Sequence, residues 1–322
     1  MLRRRTTLVG ALLATPGIAR AQQGWPEKPL RFVIGGSAGG VSDILLRILE
    51  NRLRERLGQA IILDPRPGAG GMVGAENVAR GPADGYNFYI NHIASHGIGP
   101  TLYRRLAFDP LRDLPGVARM AAMPNVLIVK GDSPLRSVAE FVAHVRANPQ
   151  KATFASAGTG TSSHLSGVLL GLRTGVETTH VPYRGTAPSM AAVMNGEVLF
   201  AIDNAPASRQ QVLAGMLRAL AVSTAARAST MPELPSLQEA GVPEFNVASW
   251  YGIAAPAAVP RPVVERLGAE FVAALRDPAL AQRVRDFGAE PMPLGPADYD
   301  AFMRAEVDTW APVVRASGAT VD

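Results

Sequence analysis

The chain has 322 residues, 47% hydrophobic and 18% charged, with a formal net charge of +5 at pH 7 and no internal repeat. This length and apolar content suit one large domain or two ordinary ones, and argue against a solenoid or a disordered protein. The chain contains no cysteine, which excludes disulfides, thiol catalysis and thiolate metal sites.

The first 21 residues have the pattern of a secretory signal peptide. A basic start, MLRRR, precedes a short apolar stretch, and an A-x-A cleavage site follows at residues 19–21. Cleavage after Ala21 removes four arginines and no acid, so the net charge falls from +5 to +1. No other basic run is interleaved with aromatic residues, and we therefore expect no nucleic-acid partner. The pattern predicts export to the periplasm, with Sec and twin-arginine routes both open.

The next part of the chain alternates strands and helices. We predict a strand at about 30–35, a helix at about 40–57 capped by Gly58, a strand in AIILD, a helix near 73–80 and a strand in YNFYIN. This β-α-β-α-β order implies parallel strands joined by right-handed crossovers.

From about residue 125 the pattern starts again. Strands are predicted in VLIVK, ATFAS, THVPY, VLFAID and LRALAVS, with helices between them, an extended SWYGIAAP and a helical C-terminal part. Each unit has a glycine-rich turn after a strand, and ligands of such sheets bind at the carboxyl ends of the strands. The predicted fold class is α/β, with two units whose ligand-binding ends face each other.

The first glycine-rich turn, VIGGSAGGVSD, offers backbone N–H groups and a positive helix end to an anion. Its glycines, at 35, 36, 39 and 40, do not fit the G-x-G-x-x-G pattern, which argues against a dinucleotide. Asp43 lies in the first helical turn, where its carboxylate can hold the shape of the turn. The N–H groups of residues 37–40 can then bind a ligand carboxylate.

The second turn, SAGTGTSSH, repeats this design at residues 156–164. Thr159, Thr161, Ser162 and Ser163 add hydroxyl donors to its glycines. Two uncharged anion sites across a cleft suit a small acid, which must be both held and released.

The histidines have structural interpretations. His92 and His96 are spaced i, i+4, but no acidic cluster completes a metal site. His164 is predicted to cap or pack at its helix start, and His180 to pack in a strand.

Three other features bear on function. Ser156 and Ser163 lack a G-x-S-x-G elbow and a His-acid partnership, so we expect no hydrolase. Trp250-Tyr251 is typical of a core or hinge corner, with a role in the pocket as the alternative. Arg184 is either a solvated side chain or a partner for a second ligand carboxylate.

A longer set of motifs resembles one protein family. They include SAGGVSDILLR, RPGAGGMVGAENVAR, PADGY, SAGTGTSSHLSG, HVPYRGTAPSMAAVMNGEV, LRALAVST, LPSLQEAGVPEF and SWYGIAAPAAVPRPVVERL. In this order they resemble the Bug family, the periplasmic solute-binding receptors of tripartite tricarboxylate transporters. The resemblance runs from about residue 25 to the C-terminus.

The resemblance implies a two-domain, Venus-flytrap receptor that closes around a ligand. Domain 1 would comprise about 22–126 plus 251–322, and domain 2 about 127–250. The expected partners are a small carboxylic acid and two integral-membrane permease subunits, and the protein is expected to be a monomer without catalytic activity, cofactor or metal. The alternatives are a periplasmic sensor for a signalling receptor, or an exported NAD-dependent or hydrolytic enzyme.

The resemblance also implies a set of ligand-binding residues. This sequence departs from the family pattern at two places: Gly35-Gly36 stand in place of a proline-aromatic pair, which removes an aromatic wall, and Gly99 stands in place of asparagine. The residues carried over are Ser37, Ala38, Gly39, Gly40, Asp43, Ser95, His96, Ser156, Gly158, Thr159, Gly160, Thr161, Tyr183, Asp203 and Asn204.

Overall fold

The structure is a computed structural model that describes residues 24–322; the predicted signal peptide lies outside them. Among the described helices, none has the length and apolar character that a bilayer crossing needs. The strands within this range are β1 (Leu30–Ile34), β2 (Ile61–Pro65), β3 (Asn87–His92), β4 (Gly116–Lys130), β5 (Thr153–Ser156), β6 (Thr179–Pro182), β7 (Phe200–Asn204), β8 (Leu217–Val222), β9 (Ala248–Ala254) and β10 (Glu290–Leu294). The α-helices are α1 (Val41–Leu57), α2 (Met72–Ala79), α3 (Gly99–Leu102), α4 (Pro110–Asp113), α5 (Val138–Ala147), α6 (Ser162–Thr174), α7 (Thr186–Asn195), α8 (Ala205–Leu213), α9 (Arg261–Arg276), α10 (Pro278–Asp286) and α11 (Pro296–Ala316).

The strands form a curled sheet that contains two parallel groups. Its order is β2-β1-β3-β9-β4-β7-β5-β6, and β8 and β10 also pair with β4. Strand β1 runs parallel to β2 and β3, and β5 runs parallel to β6 and β7. The antiparallel pair of β9 and β4 joins the two groups. The two predicted α/β units are therefore confirmed.

The first unit follows its sequence pattern closely. Helix α1 ends at Gly58, whose positive φ of 69° lets its N–H bond to the Arg54 carbonyl at 2.8 Å. Beneath it, Phe32 stacks on Phe88 at 5.3 Å between ring centroids and meets the edge of Phe271 at 5.9 Å. Helices α1 and α9 thus share one apolar core with the strands.

Two strands differ from the prediction. Strand β4 begins at Gly116, well before the predicted VLIVK. The prediction missed its first residues because they are buried on both faces and show no polar alternation. Strand β10, EPMPL, contains two prolines and has no strand signal in the sequence. It pairs antiparallel with β4 at Glu290 and Pro291 before the register shifts. Proline is tolerated in such an irregular pairing.

Strands β4 and β9, together with helix α11, connect the two units. The first half of β4 pairs with β9 and its second half with β7 and β8. Glu306 on α11 accepts hydrogen bonds from the indole N–H groups of Trp250 at 2.7 Å and Trp310 at 3.1 Å. The last turns of α11 share a core with Leu165 and Leu169 of α6. The C-terminal helix thus reaches the second unit, and the predicted domain boundaries stay a prediction.

Candidate ligand-binding site

The first glycine-rich turn is closed on one side and open on the other. A Cβ atom on Gly35 would lie 2.6 Å from both the Cα atom of Gly71 and the Tyr89 hydroxyl. A Cβ atom on Gly36 would meet nothing within 4 Å. Close backbone packing therefore requires a glycine at position 35, whereas Gly36 leaves space in front of the turn. Gly99 likewise packs closely, since its Cβ would lie 2.1 Å from the Met72 methyl.

Asp43 holds this turn from within. Its Oδ2 accepts the Gly39 N–H at 2.6 Å, and its Oδ1 accepts the Arg47 Nε–H at 2.8 Å. The Gly40 N–H donates to the Ser37 carbonyl at 3.1 Å. Two of the predicted amide donors are therefore used inside the turn. Asp43 is buried at 4% exposure, so it shapes the loop rather than facing solvent.

A cavity of about 170 Å³ lies in front of the turn at the start of α1. The N-cap residue Gly40 supplies no side-chain hydrogen bond. The amides of the first helical turn have no intrahelical acceptor, and they carry the positive end of the helix dipole. This combination suits a carboxylate. The lining residues are Ile34, Gly36, Ser37, Gly40, Val41, Ser42, His92 and Tyr251.

Sequence analysis did not place His92 in this cavity and left Tyr251 undecided. These residues face each other because β3 pairs antiparallel with β9, where His92 opposes Tyr251 with ring centroids 6.0 Å apart. Burial raises the pKa of Tyr251, and the Asp203 carboxylate raises it further. The period-two alternation of SWYGIA, with Trp250 in the core, is the one signal that places Tyr251 on the opposite face.

Most of the predicted donors of the second turn already have hydrogen-bond partners within the protein. The Thr161 hydroxyl donates to the Gly158 carbonyl at 2.6 Å and accepts the His164 N–H at 3.3 Å as the N-cap of α6. The Ser163 hydroxyl accepts the Ala157 N–H at 3.0 Å. Ser162 bonds Ser249 at 2.9 Å. Of the four predicted hydroxyls, only that of Thr159 is exposed.

Two imidazoles also hold this second turn. The Gly160 N–H donates to Nδ1 of His164 at 3.2 Å, and Nε2 of His180 lies 2.6 Å from the Ser156 hydroxyl. Ser156 in turn accepts the Gly158 N–H at 3.1 Å. Ser156 is completely buried and no carboxylate contacts the His180 ring in the described residues, so this Ser–His contact lacks the orienting acid of a hydrolase.

Ser95 and His96 lie beneath the cavity instead of lining it. Both have 0% exposure. The Ser95 hydroxyl donates to the His92 carbonyl at 3.0 Å and lies 3.0 Å from Nδ1 of His96. The His96 ring stacks on Tyr89 at 5.9 Å. These two residues therefore support the segment that presents His92.

Burial keeps four histidines neutral. It lowers the pKa of His92, His164 and His180 to about 4 each. It lowers the pKa of His96 to about 3. We call this set the four neutral histidines. Nowhere in residues 24–322 do three or more His, Asp or Glu side chains come together as a metal site.

Asp203 and Asn204 lie at the end of β7, close to Tyr251. Asp203 is 1% exposed, and burial raises its pKa to about 6 although it accepts the Asn204 N–H at 2.7 Å. Within the described residues, the buried Oδ1 of Asn204 has no hydrogen-bond partner. Tyr183 is directed elsewhere, since its hydroxyl donates to Glu197 at 3.4 Å.

A short bridge connects the two turns. A Cβ atom on Gly160, whose φ is +79°, would lie 2.1 Å from a methyl of Leu102 in α3. The next residue, Tyr103, donates its hydroxyl to the Ala69 carbonyl at 2.6 Å, beside Gly71 and the first turn. The two turns therefore both border the segment that follows β3.

Comparison with known proteins gives consistent results. A family model described as "Tripartite tricarboxylate transporter family receptor" matches residues 45–319. A UPF0065 protein from the tcbD-tcbE intergenic region of Pseudomonas sp. (strain P51) is 36% identical over 315 residues, 97% of this chain and 94% of that protein.

Two solved structures show the same fold. Rpa4515 of R. palustris, solved with adipate, is 36% identical with a TM-score of 0.84, over 92% of this chain and 100% of that one. MatC from Rhodopseudomonas palustris, solved with bound malate, is 30% identical with a TM-score of 0.79, over 90% of this chain and 100% of that one. The predicted two-domain binding-protein fold is thereby confirmed.

Proposed function

Since the chain belongs to the tripartite tricarboxylate transporter receptor family, we propose that it binds a small carboxylate between its two units and delivers it to a membrane permease. The observation that carries this proposal is the cavity at the start of α1. There, an uncapped helix end meets open space in front of Gly36. Adipate and malate, the ligands in the two related structures, are small dicarboxylates of the same chemical class.

The carboxylate would bind the first turn of α1. Of the residues predicted from the sequence, we retain Ser37 as a donor and add the backbone amides of Val41 and Ser42. Gly39, Gly40 and Asp43 would act by holding the turn in shape. The Tyr251 hydroxyl and the His92 ring would contact the ligand from the other side of the cavity.

The distal end of the ligand would extend toward the end of β7. Asp203 and Asn204 would border it there, and the unpartnered Oδ1 of Asn204 offers an acceptor to a hydroxyl group of the ligand. Thr159 and Gly158 would close the cleft from the second turn. Arg184, which is exposed one residue before Gly185, is a candidate partner for a second carboxylate.

The domain division follows the same proposal. Closure would bring 127–250 toward 22–126 and 251–322, with β4 and β9 as the crossing segments. The ligand would make contacts in the closed form that it lacks in the open form, and the permease would recognise the closed form. We propose that the protein is exported by cleavage after Ala21 and acts as a periplasmic monomer. N-terminal sequencing and light scattering of the mature protein test these points.

Ligand binding is tested by a thermal-shift screen of small mono- and dicarboxylic acids, with NAD and NADP as controls. A ligand at a hundred times its Kd adds about 2.7 kcal/mol of stability. Stabilisation by carboxylates and not by nucleotides is the expected result. Stabilisation by a nucleotide alone, or turnover of a bound ligand, would overturn the proposal.

A matched pair of variants locates the site. Gly36→Val places a side chain into the open cavity without backbone strain, and we expect it to abolish binding while the melting temperature of the free protein stays nearly constant. Gly295→Val is the control, because a Cβ atom there also meets nothing within 4 Å but lies outside the cavity. Unchanged affinity in Gly36→Val would place the ligand elsewhere.

A further inference from the structure

The second turn is attached to a pair of stacked histidine rings. His164 and His180 lie with ring centroids 3.9 Å apart and an interplanar angle of 29°. Phe154 continues the stack, 5.0 Å from His180. One ring comes from the start of α6 and the other from β6. The stack therefore fixes α6 against β6. Both rings lie next to the turn between β5 and α6.

Each ring holds a different part of the turn through one defined nitrogen. Nδ1 of His164 accepts the Gly160 N–H, so this nitrogen carries a lone pair and the proton lies on Nε2. Nε2 of His180 contacts the Ser156 hydroxyl, which accepts the Gly158 N–H. The Gly160 amide thus bonds an imidazole nitrogen directly, whereas the Gly158 amide is linked to one through the Ser156 hydroxyl.

The surroundings keep the rings uncharged. The cavity beside them, about 780 Å³, extends along α6 and is bordered by small uncharged residues at 316–319 of the C-terminal segment. Glu177, which is exposed, is the one carboxylate in its lining within the described residues, and β5 contributes Phe154. Burial lowers the pKa of both rings, and each would repel a charge on the other. The neutral form of His164 is the one whose Nδ1 can accept the Gly160 N–H.

From this geometry we propose that His164 and His180 are positioning residues for ligand capture, which fix the glycine turn at 158–160 in its binding shape through Nδ1 and Nε2 respectively. The inference rests on the proposed function, since it assigns the second turn to the ligand cleft. Neither ring contacts the ligand in this arrangement. Their role differs from that of packing residues, because a ring of the same size without the correct nitrogen would not support it.

The test replaces each histidine by asparagine and, separately, by glutamine. Each of these amide side chains mimics only one of the two ring nitrogens. The Oδ1 of asparagine replaces Nδ1, and the side-chain amide of glutamine reaches the position of Nε2. We expect His164→Asn and His180→Gln to bind the carboxylate found in the screen within about threefold of the wild type. His164→Gln and His180→Asn should each weaken binding about tenfold, the effect of losing a buried hydrogen bond. His144→Asn and His144→Gln on α5 are controls and should change nothing.

A second readout does not depend on the ligand. Amide hydrogen exchange of Gly158 and Gly160 should be slow in the wild type and in the two matching variants, and fast in the two mismatched ones. Long-range ¹H–¹⁵N spectra should show the proton of His164 on Nε2.

Equal affinity and equal exchange in the matched and mismatched variants would overturn the inference and leave the histidines as packing residues. A wild type that binds no carboxylate while its glycine amides follow the predicted pattern would refute the proposed function instead. In that case the histidines would still hold the turn.

Discussion

Removal of the Asp43 carboxylate tests whether the first turn is held from within. We expect Asp43→Ala to lower the free energy of unfolding by about 2–3 kcal/mol. The largest part is the hydrogen bond from Gly39 to a buried carboxylate, worth about 1.5–3 kcal/mol. The helix dipole adds about 0.3–1 kcal/mol. The Arg47 ion pair adds little, because the Arg47 side chain is 57% exposed and exposed pairs contribute about 0–1 kcal/mol.

The assay is equilibrium urea denaturation, combined with thermal melting in which the loss corresponds to roughly 3–5 °C for a protein of this size. Asp43→Asn retains an acceptor for the Gly39 N–H and should lose only about half as much. Arg47→Ala is the control for the ion pair and should stay within about 1 kcal/mol of the wild type. Carboxylate affinity should fall in Asp43→Ala, since the turn that presents the helix amides would lose its shape.

The reasoning would be refuted by an Asp43→Ala protein whose stability lies within about 0.5 kcal/mol of the wild type, the usual range for surface substitutions. It would equally be refuted if Arg47→Ala had the larger effect. In that event the carboxylate would act through the exposed ion pair and the Gly39 contact would be incidental.

Three further outcomes follow from buried contacts. Gly160→Ala should destabilise the protein by about 2 kcal/mol, through left-handed strain and the clash with Leu102, and Leu102→Ala in the same chain should recover carboxylate binding in calorimetry. Glu306→Ala should cost about 2–4 kcal/mol in urea denaturation, because it leaves two indole N–H groups unpaired; Glu306→Gln should cost less. The four neutral histidines have folded-state pKa values below the unfolded value of 6.5, so stability should be full above pH 6.5 and fall toward pH 4. Asp203 opposes this trend, because its raised folded-state pKa of about 6 means that its protonation stabilises the folded protein as the pH falls. It is one group against four histidines, so the net stability should still fall. A urea midpoint at pH 5 equal to or above that at pH 7.5 would contradict the histidine argument.

The turns and their neighbouring elements were predictable because the signals are local. Helix α1 follows from apolar spacing and the Gly58 cap, and the glycine clusters at both strand ends mark the turns directly. The hydrogen bonds that consume donors are also local. Asp43 reaches Gly39 and His164 reaches Gly160, each four residues away. Sequence reasoning overstated the free donors because it counted the amides of residues 37–40 and the hydroxyls of the second turn as available.

The rest of the site depends on contacts between distant parts of the chain. His92 and Tyr251 meet only because β3 pairs with β9, and no periodicity specifies that register. Strand β4 was found only in part because burial on both faces removes the alternation that marks a half-buried strand. The packing of α11 on α6 is likewise a tertiary result that a helical pattern does not contain.

The two turns look alike in sequence, but they differ in how their backbone amides are bonded. The first has an uncapped helix end and open space at Gly36, so its free amides face a cavity. The second has a threonine N-cap, and its amides are bonded to its own side chains. Substitutions at Gly36 and Tyr251, which line the first cavity, would therefore change ligand preference most directly. Substitution of Tyr251 should alter the preference among carboxylates, whereas substitutions in the second turn should lower affinity for all of them alike.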